Sequence, residues 1–194
     1  SNTATYTYDT NGNRQSLTYS NGNVTNYTYN LANAVKTLTN REQSGGTVFS
    51  AYSYNYFLDG NQYQKINSTG TTRTTTYAYD YAGRLLSEQD SSSGLITYTY
   101  DDYGNRATMN NEGVTTTYTY DKNNRLTGSS KTGEVIEYTY DNNGNQTEVE
   151  TNGVVTETLT YDKLNRLTAS NTSTYTYRAD GLRNNKTVSG TTTA

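Results

Sequence analysis

The chain has 194 residues and a formal net charge of −3, and it contains no Cys, His, Trp or Pro. These absences exclude disulfides, thiol nucleophiles and histidine chemistry, and the charge gives no basic surface for nucleic acid. Hydrophobic residues make up only 30% of the chain and 22 residues are Tyr, so tyrosine has to supply most of the buried area. No run approaches the roughly 18 apolar residues of a membrane helix, and we expect no membrane insertion.

A short pattern, Tyr-x-Tyr followed by Asp or Asn, recurs along the whole chain. Ser1 and Asn2, which precede the first copy, are interpreted as the remnant of a removed tag, and Ser189 to Ala194 as a small polar tail. Arg178 takes the place of Asp in the last copy. A pattern of this kind predicts one array of about nine repeats over residues 1–194. The second Tyr of each copy lies at Tyr8, Tyr29, Tyr54, Tyr79, Tyr100, Tyr120, Tyr140, Tyr161 and Tyr177.

Each repeat is predicted to be a β-hairpin. Between Tyr118 and Tyr140, an alternating strand is followed by a turn signal, a second strand and another turn. A second set of turn glycines recurs midway between the tyrosine pairs, at Gly22, Gly46, Gly70, Gly94, Gly113, Gly133 and Gly153. The fold class is therefore all-β, with roughly 17 strands in a continuous antiparallel meander, and so many strands should curve or spiral.

The tyrosine pairs have a simple geometric meaning. Alternate side chains of a strand point to opposite faces, so both Tyr share one face and the Thr between them lies on the other. Packing of the sheet explains this pattern best, and a stacking surface for sugars is the functional alternative. If the ring of Tyr120 is buried, we expect its replacement by Ala to cost about 3 kcal/mol.

The repeats resemble a known family. Tyr77 to Leu85 reads Tyr-Ala-Tyr-Asp-Tyr-Ala-Gly-Arg-Leu, and Tyr118 to Leu126 and Thr160 to Leu167 are close variants. Tyr98 to Arg106 and Tyr138 to Gln146 are interpreted as copies with one extra residue in the turn. Together the copies resemble the YD repeat, also called the Rhs (rearrangement hotspot) repeat, over essentially the whole chain.

The resemblance carries implications for fold and function. In that family the repeats build a spiralling β-sheet that closes into a hollow shell, as in bacterial toxin-complex subunits, Rhs toxins and animal teneurins. This implies a module that encloses or displays another domain. No counterpart of the self-cleaving module of the toxins is present, so self-cleavage is not carried over.

Several motifs could suggest chemistry. The runs Asp9 to Asn13 and Asp141 to Asn145 superficially resemble calcium loops, but their Gly is misplaced and no bidentate Glu follows, so we interpret them as hairpin turns. Asp101 with Asp102 and Glu148 with Glu150 are the nearest carboxylate pairs for a glycosidase, yet nothing apolar nearby would raise one pKa.

A set of arginines follows the turns in register, and we expect these side chains to pair with the turn Asp residues rather than to bind anions. They are Arg14, Arg84, Arg106, Arg125, Arg166 and Arg183.

The sequence therefore predicts a protein that is not an enzyme, with no catalytic, cofactor-binding or metal-binding residues and no cofactor. The leading hypothesis is a structural module of a larger secreted or cell-surface bacterial protein, which forms part of a β-shell around a flanking or toxin domain of the same polypeptide. The alternative is a carbohydrate-binding, adhesive module that contacts cell-surface glycans. Self-association through open sheet edges is a further expectation, and no nucleic-acid partner is expected.

Overall fold

The computed structural model describes residues 3–193, which contain 19 strands and no helix. A helix capable of crossing a membrane is accordingly not found in this range. The strands are β1 Ala4–Tyr8, β2 Arg14–Tyr19, β3 Val24–Tyr29, β4 Val35–Arg41, β5 Val48–Tyr56, β6 Gln62–Asn67, β7 Arg73–Tyr79, β8 Leu85–Asp90, β9 Leu95–Tyr100, β10 Arg106–Asn111, β11 Val114–Tyr120, β12 Leu126–Lys131, β13 Glu134–Tyr140, β14 Gln146–Thr151, β15 Val154–Tyr161, β16 Leu167–Ser170, β17 Ser173–Tyr177, β18 Arg183–Val188 and β19 Thr191–Thr193.

The chain divides into two compact units, Ser1–Tyr98 and Thr99–Ala194. Within the first unit, each strand from β1 to β8 pairs antiparallel with its successor. Within the second unit, the same holds from β10 to β19. This arrangement confirms the all-β class and the antiparallel meander of hairpins.

The predictions for the two ends of the chain have different outcomes. The interpretation of Ser1 and Asn2 as a tag remnant lies outside the described residues, as does Ala194. Ser189 and Gly190, assigned from the sequence to a polar tail, form a turn, and Thr191–Thr193 forms β19 beside β18. With this last strand the described residues contain 19 strands, which is more than the roughly 17 strands expected.

The hairpins at Tyr8, Tyr29, Tyr56, Tyr79, Tyr120, Tyr140, Tyr161 and Tyr177 share one kind of loop and one irregularity. In the copy at Tyr120, the Asp121 N–H donates to the Arg125 carbonyl at 3.0 Å, and Asn124 adopts a positive φ of 60°. Tyr120 then pairs with Leu126 while Thr119 pairs with Gly128, so one extra residue bulges from the return strand. A three-residue loop closed by a left-handed residue and a bulge is a common hairpin connection, and the bulge adds local twist.

The two faces of the strands differ as expected. Tyr118 and Tyr120 are partly buried, whereas Thr119 between them is exposed, and the same alternation holds at Tyr138 to Tyr140 and Tyr175 to Tyr177. Among the described residues, the only buried apolar side chains are Leu17 and Val24, which remain 8% and 6% exposed. The tyrosine face therefore takes the place of a conventional aliphatic core.

One repeat mark from the sequence is wrong. The copy placed at Tyr54 and Asn55 is shifted by two residues, because β5 continues to Tyr56 and the loop begins at Phe57. Asn55 lies inside the strand and donates from Nδ2 to Gln64 Oε1 at 2.8 Å. The physical reason is that the loop needs a left-handed residue four positions after the second Tyr, and Gly60 (φ 91°) fits only Tyr56.

Candidate functional site

In six repeats a turn aspartate holds its own loop through hydrogen bonds. In the copy at Asp121, Oδ1 accepts the backbone N–H groups of Asn123 and Arg125 at 2.8 and 3.0 Å, and Oδ2 accepts Arg125 Nε at 2.7 Å. This is an Asx-type cap that satisfies loop donors which the strands cannot. The same three contacts recur at Asp9, Asp80, Asp101, Asp141 and Asp162.

These hydrogen bonds stabilise the ionised carboxylates. The backbone N–H of Arg125 is the main cause that holds the pKa of Asp121 below its usual value of 3.8, and the Arg125 guanidinium adds to it. At Asp101 the largest contribution that lowers the pKa comes from the Asn105 side chain. The turn carboxylates are thus ionised structural acceptors rather than groups tuned for acid catalysis.

Five of the six arginines that follow the turns form two groups, and the sixth, Arg183, follows the loop in which Arg178 replaces the predicted Asp partner. Arg84, Arg125 and Arg166 occupy the fourth position after the turn Asp and pair with it at 2.7 Å, as predicted. Asn13 and Asn105 occupy that position in two other turns, so Arg14 and Arg106 come one residue later. Their guanidinium groups lie over the rings of Tyr6 and Tyr118, at 4.7 and 4.4 Å from the ring centroids.

This grouping corrects the prediction of an extra turn residue in the copies at Tyr98 to Arg106 and Tyr138 to Gln146. The Asp101 N–H bonds to the carbonyl of Asn105, four residues on, just as the Asp80 N–H bonds to that of Arg84. The loops have equal length, and only the position of the arginine or its replacement by Asn differs. An Arg at the fourth position can contact both groups, because Arg125 and Arg166 also lie over the rings of Tyr140 and Tyr177, at 4.7 and 4.8 Å from the centroids.

In six repeats the hydroxyl of the second Tyr connects the repeat to the one before it. Tyr120 OH donates to the backbone carbonyl of Arg106 at 3.0 Å, and Tyr140 OH donates to that of Leu126 at 2.7 Å. The acceptor residue pairs, across its own hairpin, with the second Tyr of the previous repeat. Leu126, which accepts from Tyr140, pairs in this way with Tyr120, beside the bulge. The same junction is formed by Tyr29, Tyr56, Tyr79 and Tyr177. Burial raises the pKa of Tyr120 and of Tyr140, so these hydroxyls remain protonated donors.

Neighbouring loops also touch through asparagine side chains. Asn13 Nδ2 donates to Asn33 Oδ1 at 2.9 Å, and Asn105 Nδ2 donates to Asn124 Oδ1 at 3.0 Å. Asn145 and Asn165 form the third such pair. In each pair the acceptor has a positive φ, a conformation that Asn tolerates better than most residues. Asn thus stands in place of Gly where its amide can bridge two loops, a pairing that sequence reasoning missed.

The remaining candidate chemistry is not assembled. Asp101 and Asp102 both lie in a turn, where Asp101 is the cap. Glu148 and Glu150 lie two residues apart on β14, and they pair with Thr139 and Glu137 of the neighbouring strand β13. Residues 3–193 contain no group of three or more His, Cys, Asp or Glu placed to hold a metal ion.

An apolar groove of about 850 Å³ lies in the first unit, at the loop that starts with Phe57. Phe57, Leu58, Tyr81 and Leu86 line it, and all four are exposed. Phe57 also packs on Tyr63, with ring centroids 5.0 Å apart. In this repeat Phe57 occupies the loop position that a capping Asp holds in six other repeats, which is the clearest departure from the repeat pattern.

The repeated hairpin, the Asp cap and the tyrosine junction define the class of the protein as an all-β tandem repeat array. The family model described as the teneurin YD-shell matches residues 104–189. The resemblance to YD and Rhs repeats that the sequence indicated is thereby confirmed.

Solved structures of toxin complexes have the same fold. The structure described as TcdB2-TccC3-Cdc42 matches 96% of this chain with a TM-score of 0.75 and 18% identity, and that of a Photorhabdus luminescens Tc holotoxin pore matches 95% with a TM-score of 0.73 and 18% identity. The structure of TcdB2-TccC3 without its hypervariable C-terminal region matches 95% of this chain, with a TM-score of 0.73 and 17% identity. The chain spans 12% of the length of each of these chains. No curated protein sequence matches it.

Proposed function

We propose that the chain is a non-catalytic structural module of a larger secreted or cell-surface protein, and that it forms part of the wall of a β-shell that encloses or displays a partner or toxin domain of the same polypeptide. The observation that carries this proposal is the repeated junction between successive hairpins, from the Tyr hydroxyl to the preceding repeat's carbonyl. A contact made in the same way by one repeat after another builds surface of any length, because each unit needs only its neighbours.

The use of polar groups supports the same proposal. Catalysis needs polar groups that converge on a substrate and whose pKa values match the reaction. Here the turn Asp carboxylates are ionised and occupied by their own loops, and the tyrosine hydroxyls that form junctions are occupied by backbone carbonyls. Both residue types serve the wall itself.

Protease protection in the full-length polypeptide tests the proposal. We expect a broad-specificity protease to leave the partner domain intact while the wall is native, and to digest it at least several times faster when Tyr120 and Tyr140 are replaced by Ala. Tyr103→Ala is the matched control, because this Tyr lies on a loop and is 83% exposed. Equal digestion of the partner domain in all variants would contradict a role in enclosure.

The Phe57 groove favours carbohydrate binding as a second candidate function. Exposed aromatic rings beside carboxylates, here Tyr81 with Asp59 and Asp80, are the usual surface for a pyranose ring. A glycan-array screen distinguishes the two functions: selective binding that Tyr81→Ala abolishes and Tyr103→Ala preserves would establish an adhesive module. A screen without selective binding would leave the wall as the function.

A further inference from the structure

The strand β15 is one residue longer than its counterparts β11 and β13. Turns of two residues precede all three strands, which have seven residues in β11 and β13 and eight in β15. Val155 pairs with Glu150 of β14. Glu157, two residues on, pairs with Val149, so Thr156 is the extra residue and bulges from the strand. A bulge bends its strand and increases the local twist.

The ladder of backbone pairs is interrupted at the same strand. In β13, Ile136 and Glu137 pair with β12 on one side and with β14 on the other. In β15, residues Val154 to Thr158 pair with β14 and residues Leu159 to Tyr161 pair with β16, so no residue pairs with both strands. The next strand is the cause, because β16 has four residues where β14 has six. A strand that gives its two halves to different neighbours is a usual way for a sheet to turn a corner.

Other strands of the two units keep this continuity. At least one residue pairs on both sides in β3, β5, β7, β11, β13 and β17.

The tyrosine junction is also missing at β15. Tyr161 is the second Tyr of its repeat, and the equivalent acceptor is the carbonyl of Gln146, which pairs with Tyr140. Within residues 3–193 the Tyr161 hydroxyl donates to no acceptor, although the side chain is partly buried. The second Tyr residues of the repeats before and after, Tyr140 and Tyr177, do form the bond. The contact that joins its neighbours is thus absent from this repeat.

The loops on either side of the same junction remain joined. Asn165 Oδ1 accepts from Asn143 Nδ2 at 3.0 Å and from Asn145 Nδ2 at 2.9 Å. At the equivalent loop contacts, Asn33 and Asn124 accept one such bond each. A junction that is doubly bonded at its loops and discontinuous along its strands has a fixed point and a line about which it can bend.

We propose that β15 is a hinge of the array, set by the extra residue Thr156, about which the strands from β16 onward move relative to the strands up to β14. The loops at Asn165 stay joined during this motion. No tyrosine junction has to break, and no residue of β15 holds both neighbouring strands at once, so opening takes less free energy here than at β13. Such a hinge lets a continuous wall change its curvature, and it is independent of what the wall encloses.

Hydrogen exchange of the unchanged chain tests the hinge, with β13 as the internal control. The two strands differ by one residue in length and lie in the same unit. We expect peptides that cover β15 to exchange about tenfold faster than peptides that cover β13, and both to exchange more slowly than an unfolded chain. Equal exchange in the two strands would overturn the proposal.

Deletion of Thr156 tests the cause of the motion. The shortened strand has the seven residues of β13, and Val155 stays opposite Glu150. We expect exchange in β15 to slow about threefold. Insertion of a Thr between Val135 and Ile136 copies the bulge into β13 and should speed exchange there. Unchanged exchange in both variants would contradict the role of Thr156 and overturn the proposal.

Two Tyr→Phe variants keep the hinge testable if the deletion variant does not fold. Tyr140→Phe removes a hydroxyl that bonds to the Leu126 carbonyl at 2.7 Å, so exchange in β13 should rise severalfold. Tyr161→Phe removes a hydroxyl that has no acceptor within residues 3–193, so exchange in β15 should stay the same. Equal acceleration by the two variants would show that the Tyr161 hydroxyl holds its junction, and the hinge would be refuted.

Discussion

Replacing Tyr120 by Phe isolates the hydrogen bond that joins two repeats. The ring is retained, and only the hydroxyl that donates to the Arg106 carbonyl at 3.0 Å is lost. One such bond contributes about 1 kcal/mol net. Removing the whole side chain in Tyr120→Ala adds the loss of a partly buried ring, about 2 kcal/mol when the value for fully buried aromatic residues is scaled down. The two variants should therefore lose about 1 and about 3 kcal/mol of unfolding free energy.

Urea denaturation followed by circular dichroism measures both losses, and Tyr103→Phe provides the control because that Tyr is 83% exposed on a loop. The control should unfold like the unchanged chain. If Tyr120→Phe is as stable as Tyr103→Phe, the hydroxyl contributes nothing and the proposed junction between repeats is wrong.

Three further predictions concern the loops. The folded-state pKa values of the turn Asp residues are lowered, so their contribution to stability is present above pH 3.8 and is lost as the pH falls through the folded-state value. Asp121→Asn should therefore lose less stability than the unchanged chain when urea midpoints are measured at decreasing pH. An unchanged pH dependence of the midpoint would contradict this prediction. Asn124→Ala should be about 1 kcal/mol less stable than Asn124→Gly, because Ala is strained at a φ of 60°; equal midpoints would refute the strain. Gly144→Ala places a side chain at a φ of 90°, and it should cost at least about 1 kcal/mol by the same assay, with no loss as the contrary result.

Much of the fold could be predicted from the sequence because the signals are local. Alternation in Tyr118-Thr119-Tyr120 fixes which side chains share a face, and the turn residues after it fix where the strand ends. The error at Tyr54 arose because β5 contains a third alternating tyrosine, Tyr56, so the pattern has two valid registers. Measuring from Gly60, rather than from the Asn after Tyr54, would have selected the correct one.

The contacts of the site were harder to predict because they join residues far apart in sequence. The pairing of Arg125 with Asp121 is within one loop and was predicted, whereas the bond from Tyr140 to Leu126 depends on how neighbouring hairpins stack. The Asn105 and Asn124 pair left a trace in the sequence, since Asn33, Asn124 and Asn165 replace Gly after loops that end in Asn, although Gly83 follows the loop that ends in Asn61. Reading that trace requires knowing that the two loops are neighbours.

Hydrogen exchange of the backbone amides, resolved by peptide along the chain, tests most directly whether every repeat is part of one kind of wall. The account predicts slow exchange in the paired strands of each unit, and slowed exchange at loop amides that donate to a turn Asp, such as Asn123 and Arg125. β1 and β19, at the sheet edges, should exchange fastest among the strands. Exchange at unfolded-chain rates throughout the array, or protection confined to a few hairpins, would contradict it.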